Sequence, residues 1–293
     1  MVSCLLEFKA DQGLPLKEAV TLRKKVRLVG TRRPYLDPGV IMTTASGLPT
    51  VRLKKATRLS HPWVFARGIE KPESRIPPGS VADLVQPDGS FAARGFYNHH
   101  SRIGFRIMTH NPTEQIDGEF IRHRLLQAVE WRRNLGLFDK GKAVMRLVHG
   151  EGDGLSGLVV DLYDNVIAIE WFSAGMFRLR DVIRQTLADM FPGAAFYWFA
   201  EKRIQKQESF DCWDMQPPAP VTVEENGLKF RVDIGSMHKT GYFADQRDNR
   251  LLLASHTNGK SVLDLCCHSG GFSVYAKTLG GARKVVGVDL DPL

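Results

Sequence analysis

Cysteine, long apolar runs and phosphate-loop chemistry are scarce or absent in this chain of 293 residues. Its four cysteines are an adjacent pair, Cys266-Cys267, and two distant residues, Cys4 and Cys212. That spacing makes neither a disulfide framework nor a CxxC metal pair. His99-His100 invites a metal, but a lone histidine pair on a loop reads first as solvated or RNA-facing, so no metal site is expected. No run of eighteen apolar residues occurs. The N-terminus also lacks a charged segment followed by an apolar one and a small-residue cleavage site. A soluble, cytoplasmic protein without a membrane partner is expected. The glycine-rich run Gly150 to Gly157 has no Gly-Lys-Ser/Thr and precedes a strand instead of a helix, so it reads as a turn-rich connector and not a phosphate loop.

Acidic residues are short at one end only. Residues 1–60 hold twelve Lys+Arg against four Asp+Glu, whereas residues 61–293 hold twenty-eight of each, so the whole net charge of +8 sits in the first fifth of the chain. Half of that excess lies in residues 1–41, which show no helical or strand periodicity. These residues read as a disordered extension or as an upstream, misassigned start, because Met42 precedes Thr43-Thr44-Ala45-Ser46-Gly47 as a natural beginning would.

With 43% hydrophobic residues the chain can bury two or three cores, and several modules are expected. Short strands follow one another from Val51-Arg52-Leu53-Lys54-Lys55 through Val81 to Gln86, Phe91 to Tyr97 and Ile103 to Met108, with Pro77-Pro78-Gly79 and Pro87-Asp88-Gly89 as turns. That order is a small β barrel. Phe120, Ile121, Arg124, Leu125, Ala128, Val129 and Trp131 then keep helical spacing up to a Leu135-Gly136 cap. Leu158 to Tyr163 and Val166 to Trp171 form a hairpin across Asp164-Asn165, and a second helix spans about Arg178 to Met190. Pro217-Pro218-Ala219-Pro220 is the natural linker. Beyond it Leu228, Phe230, Val232 and Ile234 alternate with polar residues behind an Asn226-Gly227 hairpin turn. Asp245 is placed to cap a helix through Leu251, Leu252 and Leu253.

The densest chemistry lies near the C-terminus. Val262-Leu263-Asp264-Leu265 is a short apolar strand, Cys266-Cys267-His268-Ser269-Gly270-Gly271-Phe272 a small-residue turn into a helix, and Val285-Val286-Gly287-Val288-Asp289 a second strand ending in an acid. This is half of an open α/β sheet. A dinucleotide loop needs early glycines so that backbone amides can close on pyrophosphate. Every second residue from Asp264 is Cys266, His268 and Gly270, so only the last place is glycine. The turn therefore suits a ligand without phosphates, such as S-adenosylmethionine. Asp264 can face its amino-acid portion, Gly270 and Gly271 allow close backbone approach, and Asp289 can accept both ribose hydroxyls.

The turn resembles motif I of class I S-adenosylmethionine-dependent methyltransferases. His238-Lys239-Thr240-Gly241-Tyr242-Phe243-Ala244-Asp245-Gln246-Arg247-Asp248-Asn249-Arg250 is similar to the HKTGYF-x-DQR-x-x-R signature of large-subunit ribosomal RNA methyltransferases that carry an N-terminal PUA domain, of the cytosine-5, methyltransferase I type. Gly150 to Asp161 matches a third stretch, with Ser156 where that family often has proline. The resemblance covers about residues 51–293. It implies a multidomain α/β and β chain: an extension at 1–41, a PUA-like RNA-binding barrel at 42–112, an α+β middle domain and linker at 113–220, and at 221–293 the beginning of a Rossmann-like methyltransferase sheet. That sheet would be truncated after its second strand.

The same resemblance implies S-adenosylmethionine as cofactor, held by Phe243, Gln246, Arg247, Asp264, Cys266, Ser269, Gly270, Gly271, Phe272 and Asp289. It implies ribosomal RNA as partner, met by Lys54, Lys55, Arg58, His61, Trp63 and Lys239. Cytosine C5 is a poor nucleophile, so a cysteine thiolate is expected to add to C6 first. Cys266 and Cys267 lie in the cofactor turn and are not assigned that role, and the family's acid- or Asn-Pro-Pro acceptor motif is absent, so no catalytic residue is identified. The chain is accordingly expected to be the N-terminal part of a longer enzyme, with a non-catalytic RNA-binding module as the alternative reading and a NAD-dependent enzyme behind both. Oligomeric state is left open, a homodimer included.

Overall fold

The computed structural model describes residues 4–7, 47–138, 144–213, 215–235 and 241–290. The chain divides into a larger compact unit, Ile41–Asp245, and a smaller one formed by Met1–Val40 with Gln246–Leu293. The first strand, β1 (Cys4–Glu7), belongs to the smaller unit.

In the larger unit β2 (Thr50–Arg52), β3 (Trp63–Val64), β4 (Ser80–Val85), β5 (Phe91–Tyr97) and β6 (Phe105–Thr109) make a five-stranded sheet of order β2-β4-β5-β6-β3. Val51, Leu53, Leu84, Ala93, Phe105 and Ile107 fill its core. The first strand is shorter than its alternation suggests, and Lys54 and Lys55 lie beyond its end. A buried ion pair crosses adjacent strands: Arg94 donates from Nε and Nη2 to the two oxygens of Asp83, at 2.7 and 3.2 Å.

The expected barrel is this sheet, in which β2 and β3 are edge strands that do not pair with each other; it leads into α1 (Gly118–Asn134), capped by the Asp117 carboxylate accepting from Phe120 N at 3.0 Å. Next come β7 (Val144–His149), β8 (Leu158–Tyr163) and β9 (Val166–Trp171), then α2 (Ala174–Arg178), α3 (Arg180–Met190), β10 (Ala195–Phe199) and α4 (Lys202–Glu208). The sheet order is β10-β9-β8-β7, with β10 parallel to β9 and the other pairs antiparallel. Trp131, placed by spacing on the apolar face of α1, is 63% exposed, while its neighbour Arg132 is buried. Arg132 donates to both oxygens of Asp153, and a paired guanidinium tolerates burial that its charge alone would forbid. The second expected helix begins earlier and is broken between Arg178 and Arg180.

Two boundaries expected from the sequence fall inside this unit. Barrel and middle sheet share one core, in which Phe96 and Met108 of the barrel join Leu125, Leu147 and Trp171. Gly175 lies so close to the Phe96 ring that an added Cβ would sit 2.2 Å from it. The Glu208 carboxylate spans the junction, accepting from Asn98 Nδ2 (3.1 Å), Ser101 Oγ (2.5 Å) and Arg106 Nη2 (3.3 Å). The hairpin of β11 (Val221–Glu225) and β12 (Leu228–Val232) turns at Asn226-Gly227 with φ of 51° and 81°, as a two-residue turn demands. It too belongs to the larger unit, which ends at Asp245 and not at the proline-rich segment.

The smaller unit contains α5 (Arg247–Ala254), β13 (Ser261–Leu265), α6 (Gly271–Thr278) and β14 (Lys284–Asp289). β13 and β14 run parallel, joined through α6. β1 pairs antiparallel with the other side of β14, giving the order β1-β14-β13. Residues 4–7 are thus a strand within the segment expected to be a disordered or misassigned extension; the rest of 1–41 lies outside the described residues. Ala276, Ala282 and Val285 form the core between helix and sheet. The opposite face of β13 is open: Leu263 and Leu265 are 62% and 67% exposed.

Candidate functional site: a strand–turn–helix and a basic barrel edge

The turn between β13 and α6 brings Asp264, Cys266, Ser269, Gly270, Gly271 and Phe272 together, and β14 delivers Asp289 to it. Cys266, His268 and Gly270 adopt the left-handed region, with φ of 59°, 49° and 73°. Glycine enters that region freely, whereas a residue with a Cβ is strained there, and strained backbone of this kind persists where surrounding bonds hold it. Here Asp289 Oδ2 accepts from His268 N at 2.6 Å, Cys267 N donates to Val288 O at 3.1 Å, and Gly270 N donates to Cys267 O at 2.8 Å. Both acids of the motif therefore hold the turn in shape.

Asp264 does so through Ser273, a residue that the motif does not single out. Asp264 Oδ2 accepts from Ser273 N (3.1 Å) and Ser273 Oγ (2.7 Å), tying the strand end to the first turn of α6. Asp264 Oδ1 accepts no hydrogen bond among the described residues, which leaves one carboxylate oxygen for a cationic group. Gly287 on β14 packs under the turn, where an added Cβ would stand 3.0 Å from Cys267 Sγ. The N-cap of α6, Gly270, has no capping side chain, so of its first amides those of Gly271 and Phe272, unlike that of Ser273, remain open to an anion. Cys266 is exposed and Cys267 buried.

Gln246 and Arg247 lie at the start of α5 in the same unit, with Gln246 Oε1 accepting from Asn249 Nδ2 at 2.9 Å. Arg250 is buried and stacks on the Tyr275 ring of α6 at 5.8 Å, which makes it the packing residue between these helices. Asp245 does not cap α5. It occupies the single turn Ala244–Gln246, and its carboxylate lies 3.4 Å from Arg146, itself held bidentate by buried Asp161. The N-cap position of α5 is Gln246, which makes no side-chain cap hydrogen bond. Phe243 belongs to the larger unit. Lys239 lies outside the described residues.

On the barrel, Lys54, Lys55, Arg58 and His61 are exposed along one loop. Gln86 fixes that loop by accepting from Thr57 N (3.1 Å) and donating to Thr57 O (3.0 Å). Trp63 is half-buried and already engaged: its Nε1 donates to Glu151 Oε1 at 2.7 Å, and Arg106 lies 5.8 Å from its ring. The exposed aromatic here is Phe65, at 47%. Its two-residue offset from Trp63 offers the sequence no way to tell which ring faces solvent.

Glu151 lies in the 3-10 turn Gly150–Asp153, so the glycine-rich run is a connector into β8, as its lack of Gly-Lys-Ser/Thr implies. Ser156, the departure from the family's proline, donates to Glu151 Oε1 at 2.8 Å. Burial pushes the Glu151 carboxyl up, but the Ser156 and Trp63 hydrogen bonds and nearby Arg106 outweigh it and hold the pKa below the usual value. A depressed carboxylate contributes stability that is complete above the unfolded value of about 4.3 and fades as pH falls through the folded one. The stability advantage of the native chain over Glu151→Gln is therefore expected to shrink below about pH 4. Parallel urea titrations at about pH 7, 5 and 3.5 measure it, and a constant difference would count against the assignment.

Among the described residues no group of His, Cys, Asp or Glu could hold a metal ion. No helix among them is long and apolar enough to cross a membrane. Residues 51–110 match the model of a PUA-like domain, and residues 145–292 match that of an S-adenosylmethionine-dependent methyltransferase. The chain belongs to this methyltransferase family. The family's cofactor is S-adenosylmethionine, and its match reaches back through the middle sheet to β7, well before the strand–turn–helix.

Curated relatives include the ribosomal RNA large subunit methyltransferases I of Aeromonas hydrophila, 38% identical over 81% of this chain and 61% of the relative, and of Photobacterium profundum, 37% identical over 85% and 64%. The Escherichia coli enzyme is 36% identical over 80% of this chain and 60% of its own length. The chain thus spans under two thirds of the length of these relatives. Among solved structures, a candidate SAM-dependent methyltransferase from Streptococcus mutans superposes with a TM-score of 0.63 at 20% identity, covering 78% of this chain and 59% of that one. A candidate methyltransferase complexed with SAH gives 0.65 at 21% identity, over 79% and 59%. At those identities the likeness is one of fold.

Proposed function

We propose that this chain supplies the cofactor-binding and RNA-binding parts of a cytoplasmic enzyme that methylates large-subunit ribosomal RNA, with cytosine C5 as the acceptor atom. The observation that carries the reading is the turn after β13: a phosphate-free cradle with one carboxylate oxygen of Asp264 left over. S-adenosylmethionine has the matching chemistry, an ammonium and a carboxylate on the amino-acid arm and a diol on the ribose; when bound it supplies an electrophilic methyl group. Asp264 Oδ1 takes the ammonium, the open amides at Gly271 and Phe272 attract the carboxylate, and Asp289 accepts from the ribose hydroxyls. Ser269 and Cys266 line the rim, and Gln246 and Arg247 flank it from α5. The names of the curated relatives support ribosomal RNA as the substrate. The exposed Lys54, Lys55 and Arg58 on a PUA-like barrel suit its phosphates.

The test is an inventory of modified nucleosides in large-subunit ribosomal RNA from cells with and without the gene. One 5-methylcytidine is expected to disappear on deletion and to return on complementation. Disappearance of a methyl from another base would overturn the C5 assignment, and an unchanged inventory would overturn the substrate. Calorimetry on the chain with S-adenosylmethionine separates the alternative, a non-catalytic RNA-binding module, which requires RNA binding without cofactor binding.

A further inference from the structure

Barrel and middle sheet, both in the larger unit, enclose a cleft of about 580 Å³ beyond Trp63 and Phe65. Its walls carry two kinds of chemistry. Phe65, Ile103, Phe172 and Ile204 are apolar, and Arg102, Arg106 and Arg203 are cationic. Two carboxylates also line it, but both are committed. Glu208 is held by Asn98, Ser101 and Arg106, and Glu151 by Trp63 and Ser156. Arg102 and Arg203 are exposed and make no ion pair among the described residues, so the charge the cleft offers a ligand is positive.

Arg106 adds a further signal. Its Nη atoms face Ser156, the Phe172 carbonyl and Glu208, yet its buried Nε has no acceptor among the described residues. A buried donor without a partner is costly, which marks Arg106 as an incompletely satisfied cation in the cleft wall. Phe65 and Trp63 also line a smaller hollow of about 260 Å³, together with Arg58, His61 and Arg67. The two rings therefore border both basic hollows.

We propose that this cleft holds one unpaired nucleotide of an RNA, its base against Phe65 and its phosphate on Arg102 and Arg203. The inference rests on the reading of the barrel as RNA-binding and adds a second, deeper subsite to it. Volume and chemistry select the ligand class. The cleft suits a single nucleotide and excludes a duplex, and the pairing of an exposed ring with uncommitted guanidiniums is what stacks a base and neutralises its phosphate. Trp63, with its indole N–H held by Glu151 and Arg106 on its face, forms a fixed wall of the cleft.

Fluorescence anisotropy with two labelled RNAs tests it: a hairpin with an unpaired loop, and a blunt duplex of equal length. Phe65→Leu keeps the apolar cover without the aromatic face and is expected to weaken loop binding about tenfold while leaving duplex binding unchanged. Arg102→Gln with Arg203→Gln is expected to weaken loop binding and to flatten its salt dependence, by about 0.7 in the slope of log K against log salt for each phosphate no longer neutralised. Equal weakening on both RNAs in Phe65→Leu would overturn the proposal. If Lys54→Gln with Lys55→Gln weakens binding while the cleft variants leave affinity and slope unchanged, the cleft is refuted and the barrel reading stands. If the native chain binds neither RNA, both fail.

Discussion

Arg94→Ala is expected to destabilise the larger unit by about 3–5 kcal/mol, the cost of removing one partner of a buried ion pair. Asp83 and Arg94 side chains are 0% and 2% exposed, so neither can turn to water when the other is removed. Arg94 also donates to the Glu114 carbonyl, so its removal strips the segment entering α1 as well. For a unit of this size the melting temperature should fall by about 6–20 °C. The companion change Asp83→Leu with Arg94→Met separates charge from packing. Replacing both charges with apolar groups of similar volume removes the uncompensated ion, and most of the forfeited stability should return. Calorimetric melts of the three proteins check this. A double variant as unstable as Arg94→Ala would mean that the Glu114 hydrogen bond, and not the ion pair, holds the barrel.

Asp264→Ala should lower affinity for S-adenosylmethionine about ten- to hundredfold, the range for removing hydrogen bonds to a charged group at about 1.5–3 kcal/mol. Two mechanisms contribute, and they can be separated. The carboxylate pins Ser273 at the start of α6 and also offers its other oxygen to the ligand. Ser273→Ala removes only part of the pinning and should cost less. Asp264→Asn retains an acceptor for Ser273 but loses the negative charge, so it should still bind about tenfold more weakly if the ammonium is the partner. Titration calorimetry measures all four proteins. Native affinity in Asp264→Asn would refute the ammonium pairing while leaving the turn's structural role intact.

The local elements are legible because their signals are local. The strand–turn–helix at 262–272, the Asn226-Gly227 hairpin and the barrel strands appear where alternation and turn residues put them. The departures share one physical origin. Spacing makes Asp245 a helix cap, and instead it faces Arg146; spacing puts Trp131 inside, and it lies outside with Arg132 buried beside it on Asp153. In each case a charged residue distant in sequence changes the outcome, and no spacing rule sees such a partner. The linker at 217–220 looks like a domain boundary because prolines mark exposed chain, yet the hairpin beyond it folds with the larger unit.

By itself the sequence determined the chemistry of the turn. Filled glycine positions exclude a pyrophosphate loop whatever surrounds them, because a Cβ stands where backbone must approach the ligand. It also determined where the positive charge lies and that no Gly-Lys-Ser/Thr loop is present. Only the tertiary structure decided which partner each charge takes. It committed Asp264 Oδ2 to Ser273 and Asp289 Oδ2 to His268, gave Glu208 to three donors across the barrel junction, and left Arg102 and Arg203 beside an exposed Phe65. Hydrogen bonds saturate, and a side chain's remaining capacity for a ligand follows from which neighbours reach it first.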